Sequence, residues 1–167
     1  MLIGLISDTH IPDHVKGLPE QLKNVFRGVD LILHAGDIYI TSVLDELESI
    51  APVKAAWGDD DRESDLGGDR RLGGDKRLKD KHVLNIDGIT IWLTHELIWS
   101  RTPYDSKESP DVIVYGHTHQ PSVQTYKGVL QVNPGSATFP HYRLELGTVG
   151  LLTVNSGKAE GQIIQLQ

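Results

Sequence analysis

The chain contains no cysteine, which excludes disulfides, thiolate zinc sites and cysteine nucleophiles. Any metal must therefore rest on histidine, aspartate, asparagine or backbone oxygen. No apolar run approaches the ~20 residues a membrane-spanning helix requires, so no membrane association is expected. The N-terminus passes from Met1 directly into an apolar stretch, without the basic start and small-residue cleavage site of a secretory signal. A cytoplasmic location is the expectation. Positive charge is also in deficit: the formal net charge is −7, which disfavours broad attachment to nucleic acid or acidic membranes. Nucleic acid enters only as a substrate class.

What is present is ordinary for a globular protein. The 167 residues, 38% hydrophobic and 23% charged, suit one domain spanning 1–167 with a substantial core. Leu2 to Ser7, Val29 to Leu33 and Val53 to Trp57 read as buried strands, separated by two helices. The first helix opens at Pro19 and closes at Gly28, with Leu22, Val25 and Phe26 as its apolar stripe. A second runs from Ser42, with Asp45 completing a capping box, and ends before Pro52. Asp87-Gly88 between two apolar runs predicts a type I′ hairpin, and Lys127-Gly128 and the 155–161 stretch predict two more. Strands alternating with helices, then antiparallel pairs, predict an α/β fold: a four-layer αββα sandwich of two mixed β-sheets flanked by helices.

A glycine-rich basic loop at about 65–81 departs from this pattern. Leu66-Gly67-Gly68-Asp69-Arg70-Arg71 is followed at once by Leu72-Gly73-Gly74-Asp75-Lys76-Arg77. The favoured reading is a solvated duplicated loop, and the alternative a basic flap that steers a phosphorylated substrate.

Four polar clusters carry the chemistry: Asp8-Thr9-His10, Gly36-Asp37, His95 and Gly116-His117-Thr118-His119. Each follows an apolar strand, and residues just past strand carboxyl ends share one edge of a sheet. Carboxylates and imidazoles together suit manganese, iron, nickel or zinc. Two such ions need a bridging ligand, and Asp37, after a glycine at a strand end, is the natural one. Asp8 and His10 can grip one ion together, as can His117 and His119. His34 reads as a supporting or core histidine, and His14, His82 and His141 as surface or packing residues. Trp99 and Tyr104 could stack on a base or aromatic ester, whereas Trp57 and Trp92 lie inside strand patterns and are expected to pack.

On Asp8-x-His10, Gly36-Asp37, the Gly58 to Asp61 turn, Thr94-His95, Gly116 to His119 and Asn133-Pro134-Gly135-Ser136, the chain resembles the calcineurin-like metallophosphoesterases, specifically small cap-less phosphodiesterases of bacteria and archaea. The resemblance implies a binuclear metal-dependent phosphodiesterase acting on a small phosphodiester. Asp8, His10, Asp37 and His119 would hold one divalent ion; Asp37, Asp59, His95 and His117 would hold the other. Manganese is the first expectation, with iron, nickel or zinc as alternatives. A hydroxide bridging ions about 3.5–4 Å apart would attack phosphorus in line, with Asp37, Asp59, His117 and His119 as the catalytic group. Gly135, Ser136 and Asp60 would lie beside the substrate, although the 133–136 turn reads equally well as structural. Edge strands and exposed apolar residues would allow a homodimer.

Three positions depart from the family pattern. Asp59 stands where asparagine is usual, Asp60 where several members carry a catalytic histidine, and Glu96-Leu97 where Gly-His commonly follows the histidine. An ionised Asp59 accepts hydrogen bonds but donates none, so metal binding should strengthen while attraction for phosphate weakens. No obvious general acid remains. An aspartate in the third motif and the patterns His10-Ile11-Pro12 and Leu18-Pro19 are also similar to the retromer coat subunit of the same fold. The alternative is therefore a metal-binding, catalytically weak protein-interaction scaffold.

Overall fold

The computed structural model describes residues 1–63, 72–97, 109–143 and 145–167. The elements run β1 (Leu2–Ile6), α1 (Leu22–Val25), β2 (Leu31–His34), α2 (Thr41–Glu48), β3 (Val53–Ala56), α3 (Asp59–Glu63), β4 (Leu78–Lys79) and β5 (His82–Ile86). They continue with β6 (Ile89–Leu93), β7 (Val112–Val114), β8 (Ser122–Tyr126), β9 (Val129–Asn133), β10 (Thr148–Asn155) and β11 (Lys158–Gln165). Two mixed sheets result, in the orders β11-β10-β1-β2-β3-β4 and β5-β6-β7-β9-β8. In the first, β1 to β4 are parallel and β10 and β11 antiparallel. In the second, β6, β7 and β9 are parallel and flanked by antiparallel β5 and β8.

Strand alternation assigns the two faces of the first sheet. Ile3, Leu5, Leu31 and Leu33 join Ile91, Val112 and Val114 in the core between the sheets. Ile6 and Ile32 point the other way, into a core completed by Leu22 of α1, Phe26 just after it, and Val43, Leu44 and Leu47 of α2. Trp92, Ile113, Tyr115 and Val129 form a smaller cluster on the second sheet. No described helix is long and apolar enough to cross a membrane.

The hairpins are where the sequence placed them. Asp87-Gly88 and Lys127-Gly128 both have positive φ at the two turn residues, as a type I′ turn needs, and Ser156-Gly157 repeats the pattern. The helices differ. The first is only four residues long, because Arg27 and Val29 donate to carbonyls three residues back and tighten the chain into turns. The second starts one residue early behind Ile40, with no side-chain cap, so the Ser42/Asp45 box does not form.

The duplicated loop is also only partly a loop. Its first copy lies outside the described residues, but in the second Leu72 is 2% exposed inside the core. Arg77 donates to Asp45 at 2.7 Å, Glu48 at 2.8 Å and Asp75. The Lys81 ammonium sits 3.8 Å from the centre of the Trp92 ring. Two of the basic residues are thus tied to the fold, which corrects the picture of a wholly solvated segment.

Candidate metal centre

Every predicted ligand follows the carboxyl end of a parallel strand: Asp8 and His10 after β1, Asp37 after β2, Asp59 after β3, His95 after β6, His117 and His119 after β7. The structure brings them together as two groups of converging donor atoms, Asp8, His10, Asp37 and His119 in one, Asp59, His95 and His117 in the other. Asp37 Oδ2 lies 3.7 Å from Nε2 of His10 and 3.4 Å from Nε2 of His95, so a single oxygen faces both. Its Oδ1 accepts the Asp60 amide. Asp8, His10, Asp37, His117 and His119 all have left-handed φ, between 44° and 68°. Such conformations cost non-glycine residues about 1 kcal/mol or more each and concentrate where function demands them.

Hydrogen bonds fix which ring nitrogens face inward. Tyr39 Oη donates to Asp60 Oδ2 at 3.0 Å and so accepts from Nδ1 of His10 at 2.5 Å. Nδ1 of His119 donates to the Phe139 carbonyl at 2.7 Å, and Nδ1 of His95 to the Ala35 carbonyl at 2.7 Å. Each pairing turns Nε2 into the site, and at His10 and His119 that nitrogen presents its lone pair. Nε2 of His10 then faces Nε2 of His119 at 3.0 Å, with Asp8 Oδ1 3.6 Å from the latter. Acceptors converging in this way form a group that could hold a cation. In the second group, Asp59 Oδ1 lies 2.7 Å from Nε2 of His95 and 3.1 Å from Nδ1 of His117.

The charges lead to the same fit. Asp8 and Asp37 are 0% and 3% exposed, and among the described residues neither pairs with lysine or arginine. Buried carboxylates without a countercharge are costly. With only protein groups as neighbours, burial pushes the Asp8 carboxyl up to about 7 and the His10 imidazole down to about 4. His119 is likewise lowered by burial. At His95 burial opposes the charged form, but the Asp37 hydrogen bond and the Asp37 and Asp8 charges outweigh it and raise the ring to about 10. Burial works against ionised Asp59 too, yet a backbone amide and the His95 and His117 rings hold its carboxyl below the usual range.

The ligand loops are braced from below. Ser7 Oγ donates to the Gly135 carbonyl at 2.5 Å, Ser136 Oγ to that of Asp8 at 2.6 Å and Thr138 Oγ1 to that of Thr9 at 2.7 Å. Asn133 Nδ2 donates to the Gly116 carbonyl at 2.8 Å. The Asp61 carboxylate accepts the amides of Asp37, Ile38, Tyr39 and Gly58 at 2.7–3.0 Å, which fixes the turn carrying Asp37. A Cβ on Gly36, whose φ is +98°, would lie 2.5 Å from Nδ1 of His95. Only glycine fits there.

Three expected substrate contacts sit differently. Ser136 is fully buried with its hydroxyl spent on Asp8, and buried Gly135 donates its amide to Asn133 Oδ1. Both brace the site rather than line its mouth. Asp60 is half-exposed, but its carboxylate holds Tyr39. Leu97 packs with the Trp92 cluster. His34 bonds Thr9 and the Gly36 amide, burial holding its ring neutral down to about 3, while His14 stacks on Phe139. His82 is buried, its Nε2 at 2.9 Å from the Ala55 carbonyl, and His141 is exposed. Trp57 packs against the helix-side core. Trp99 and Tyr104 lie outside the described residues. Tyr39 and Tyr142 had no signal in the sequence; Asp61 ended the third motif, but its four amide partners could not be read from spacing.

Residues 1–157 match the calcineurin-like phosphoesterase superfamily domain. A probable metallophosphoesterase of Methanothermobacter thermautotrophicus is 35% identical over 99% of this chain and 92% of its own length. Among solved structures, an archaeal phosphodiesterase is 26% identical with a TM-score of 0.71, over 98% of this chain and 100% of that one. Vps29 of Entamoeba histolytica, solved with zinc, has a TM-score of 0.68 at 21% identity over 99% of each chain.

Proposed function

This chain belongs to the calcineurin-like phosphoesterase superfamily, and on that premise we propose that it is a metal-dependent phosphodiesterase that hydrolyses small phosphodiesters with two divalent cations. The observation that carries the reading is the shared oxygen: Asp37 Oδ2 faces both His10 and His95 Nε2, so one carboxylate serves two clusters of inward acceptors. Asp8, His10, Asp37 and His119 would hold one ion and Asp37, Asp59, His95 and His117 the other. Manganese is the first choice, with iron, nickel or zinc accepted by the same donors. When bound, such ions supply a hydroxide at neutral pH for in-line displacement and neutralise charge developing at phosphorus.

The remaining chemistry belongs to the chain. Tyr39, Phe139 and Ala35 hold three imidazoles with Nε2 turned into the site. Asp59 and His117 are about half-exposed and mark the open side, where substrate would enter. Among the described residues no lysine or arginine pairs with Asp8, Asp37, Asp59 or Asp60. Asp60 is engaged by Tyr39, and among the described residues we assign no group to protonate the leaving oxygen. Esters with good leaving groups should therefore react best. A metal-by-substrate screen over mono- and diesters is the test; a metal-loaded protein inert to every diester would refute the proposal.

The second reading, a metal-binding scaffold of weak activity, draws support from two features: the acidic Asp59 and the retraction of Leu97 into an apolar cluster. The likeness to Vps29 is compatible with it. Full metal loading with no hydrolysis in the same screen would favour it.

A further inference from the structure

Beside the first ligand group stands an aromatic residue with no structural debt to discharge. Tyr142 is 62% exposed, yet its ring stacks on the His119 ring with centroids 4.4 Å apart and planes 22° apart. One face is covered by a metal-ligand candidate; the rest of the ring is open. The backbone that presents it is strained, with φ of 49° at His141 and 59° at Tyr142. Two consecutive left-handed non-glycine residues cost energy that packing of a mostly exposed side chain does not return. Phe139, edge-on to Tyr142 at 6.0 Å, continues the aromatic surface to His14, on which it stacks at 3.8 Å.

Charge bears on the choice of ligand. Asp59 and Asp60 at this mouth are both acidic and about half-exposed, so an uncharged contact adds affinity there without opposing them. An open aromatic face supplies one, since every aryl ring and nucleobase has a π-face to stack.

We propose that Tyr142 is a substrate-contact residue that stacks on an aromatic ester substituent, an aryl ring or a nucleobase, of a phosphoester bound at the metal centre. The proposal rests on the phosphodiesterase reading. It makes the enzyme selective for aromatic over small aliphatic esters, with selectivity residing in the 139–142 segment.

The test is calorimetric binding of phenyl phosphate and methyl phosphate to manganese-loaded protein. Wild type should bind phenyl phosphate the more tightly, and Tyr142→Ala should weaken phenyl phosphate about five- to tenfold while leaving methyl phosphate unchanged. Tyr142→Phe should retain the preference. Equal losses on both probes, or no loss on either, would overturn the role of Tyr142 and leave the phosphodiesterase reading standing. Failure of wild type to bind either probe would likewise overturn the role of Tyr142, whereas the phosphodiesterase reading falls only if the metal-loaded protein is inert to every diester in the hydrolysis screen.

Discussion

Nε2 of His10 and Nε2 of His119 face each other at 3.0 Å, each the free lone pair of a ring whose other nitrogen already donates a proton. Two such lone pairs repel unless a cation or proton lies between them. Burial opposes the charged form of both rings, and a bound cation would relieve the repulsion. The pair comes from residues 109 positions apart, brought together because β1 and β7 end at the same edge.

Asp37→Ala should remove the oxygen common to both groups. Elemental analysis of manganese-reconstituted protein is expected to give about two ions per chain for wild type and well under one for the variant, with hydrolysis lost. Retention of one full ion would refute the bridge.

Asp59→Asn keeps a carbonyl oxygen facing His95 and His117 but removes a negative charge from the mouth and adds an amide donor. Turnover of a phosphodiester should rise several-fold while metal affinity falls. An unchanged or lower rate at saturating metal would count against the charge argument.

Metal uptake should be pH-dependent. Near neutrality the buried Asp8 carboxyl, pushed up to about 7, and the His95 ring, raised to about 10, carry protons that a metal must displace, whereas His10 at about 4 is already neutral. Affinity should therefore increase from pH 6 to pH 8, with protons released on binding. Calorimetry in two buffers of different ionisation enthalpy measures the release; none would contradict the assignment.

Asp61→Ala would strand four amides in the turn that carries Asp37. Buried donors left unpaired cost about 1–3 kcal/mol apiece, so a loss of at least about 2 kcal/mol is expected in urea unfolding. Asp61→Asn should fare little better, because its amide group would meet donors instead of acceptors. Wild-type stability in either variant would show that water replaces the carboxylate.

Much of the fold was legible because its signals are local. Apolar runs gave the strands, and Asp87-Gly88 and Lys127-Gly128 gave hairpins through the positive φ that only such pairs adopt readily. The helix ends were not, since α2 takes Ile40 as its cap and uses neither Ser42 nor Asp45 for that purpose. The seven proposed ligands could be named because their residue types and order are distinctive. The role of Gly135 and Ser136 stayed open between substrate contact and structural turn, because a turn residue reads the same whether it touches substrate or supports a loop.

The sequence by itself determined which donors exist and after which strand each falls, since strand periodicity and residue chemistry are written into neighbouring positions. Tertiary structure alone decided what those donors do. The inward-facing nitrogens of His10, His95 and His119 are set by Tyr39, Ala35 and Phe139 respectively; the Asp37 turn is held by Asp61, and Tyr142 is laid on His119. These are contacts across loops far apart in the chain, and they arise only when two sheets pack with their parallel strands ending on one edge.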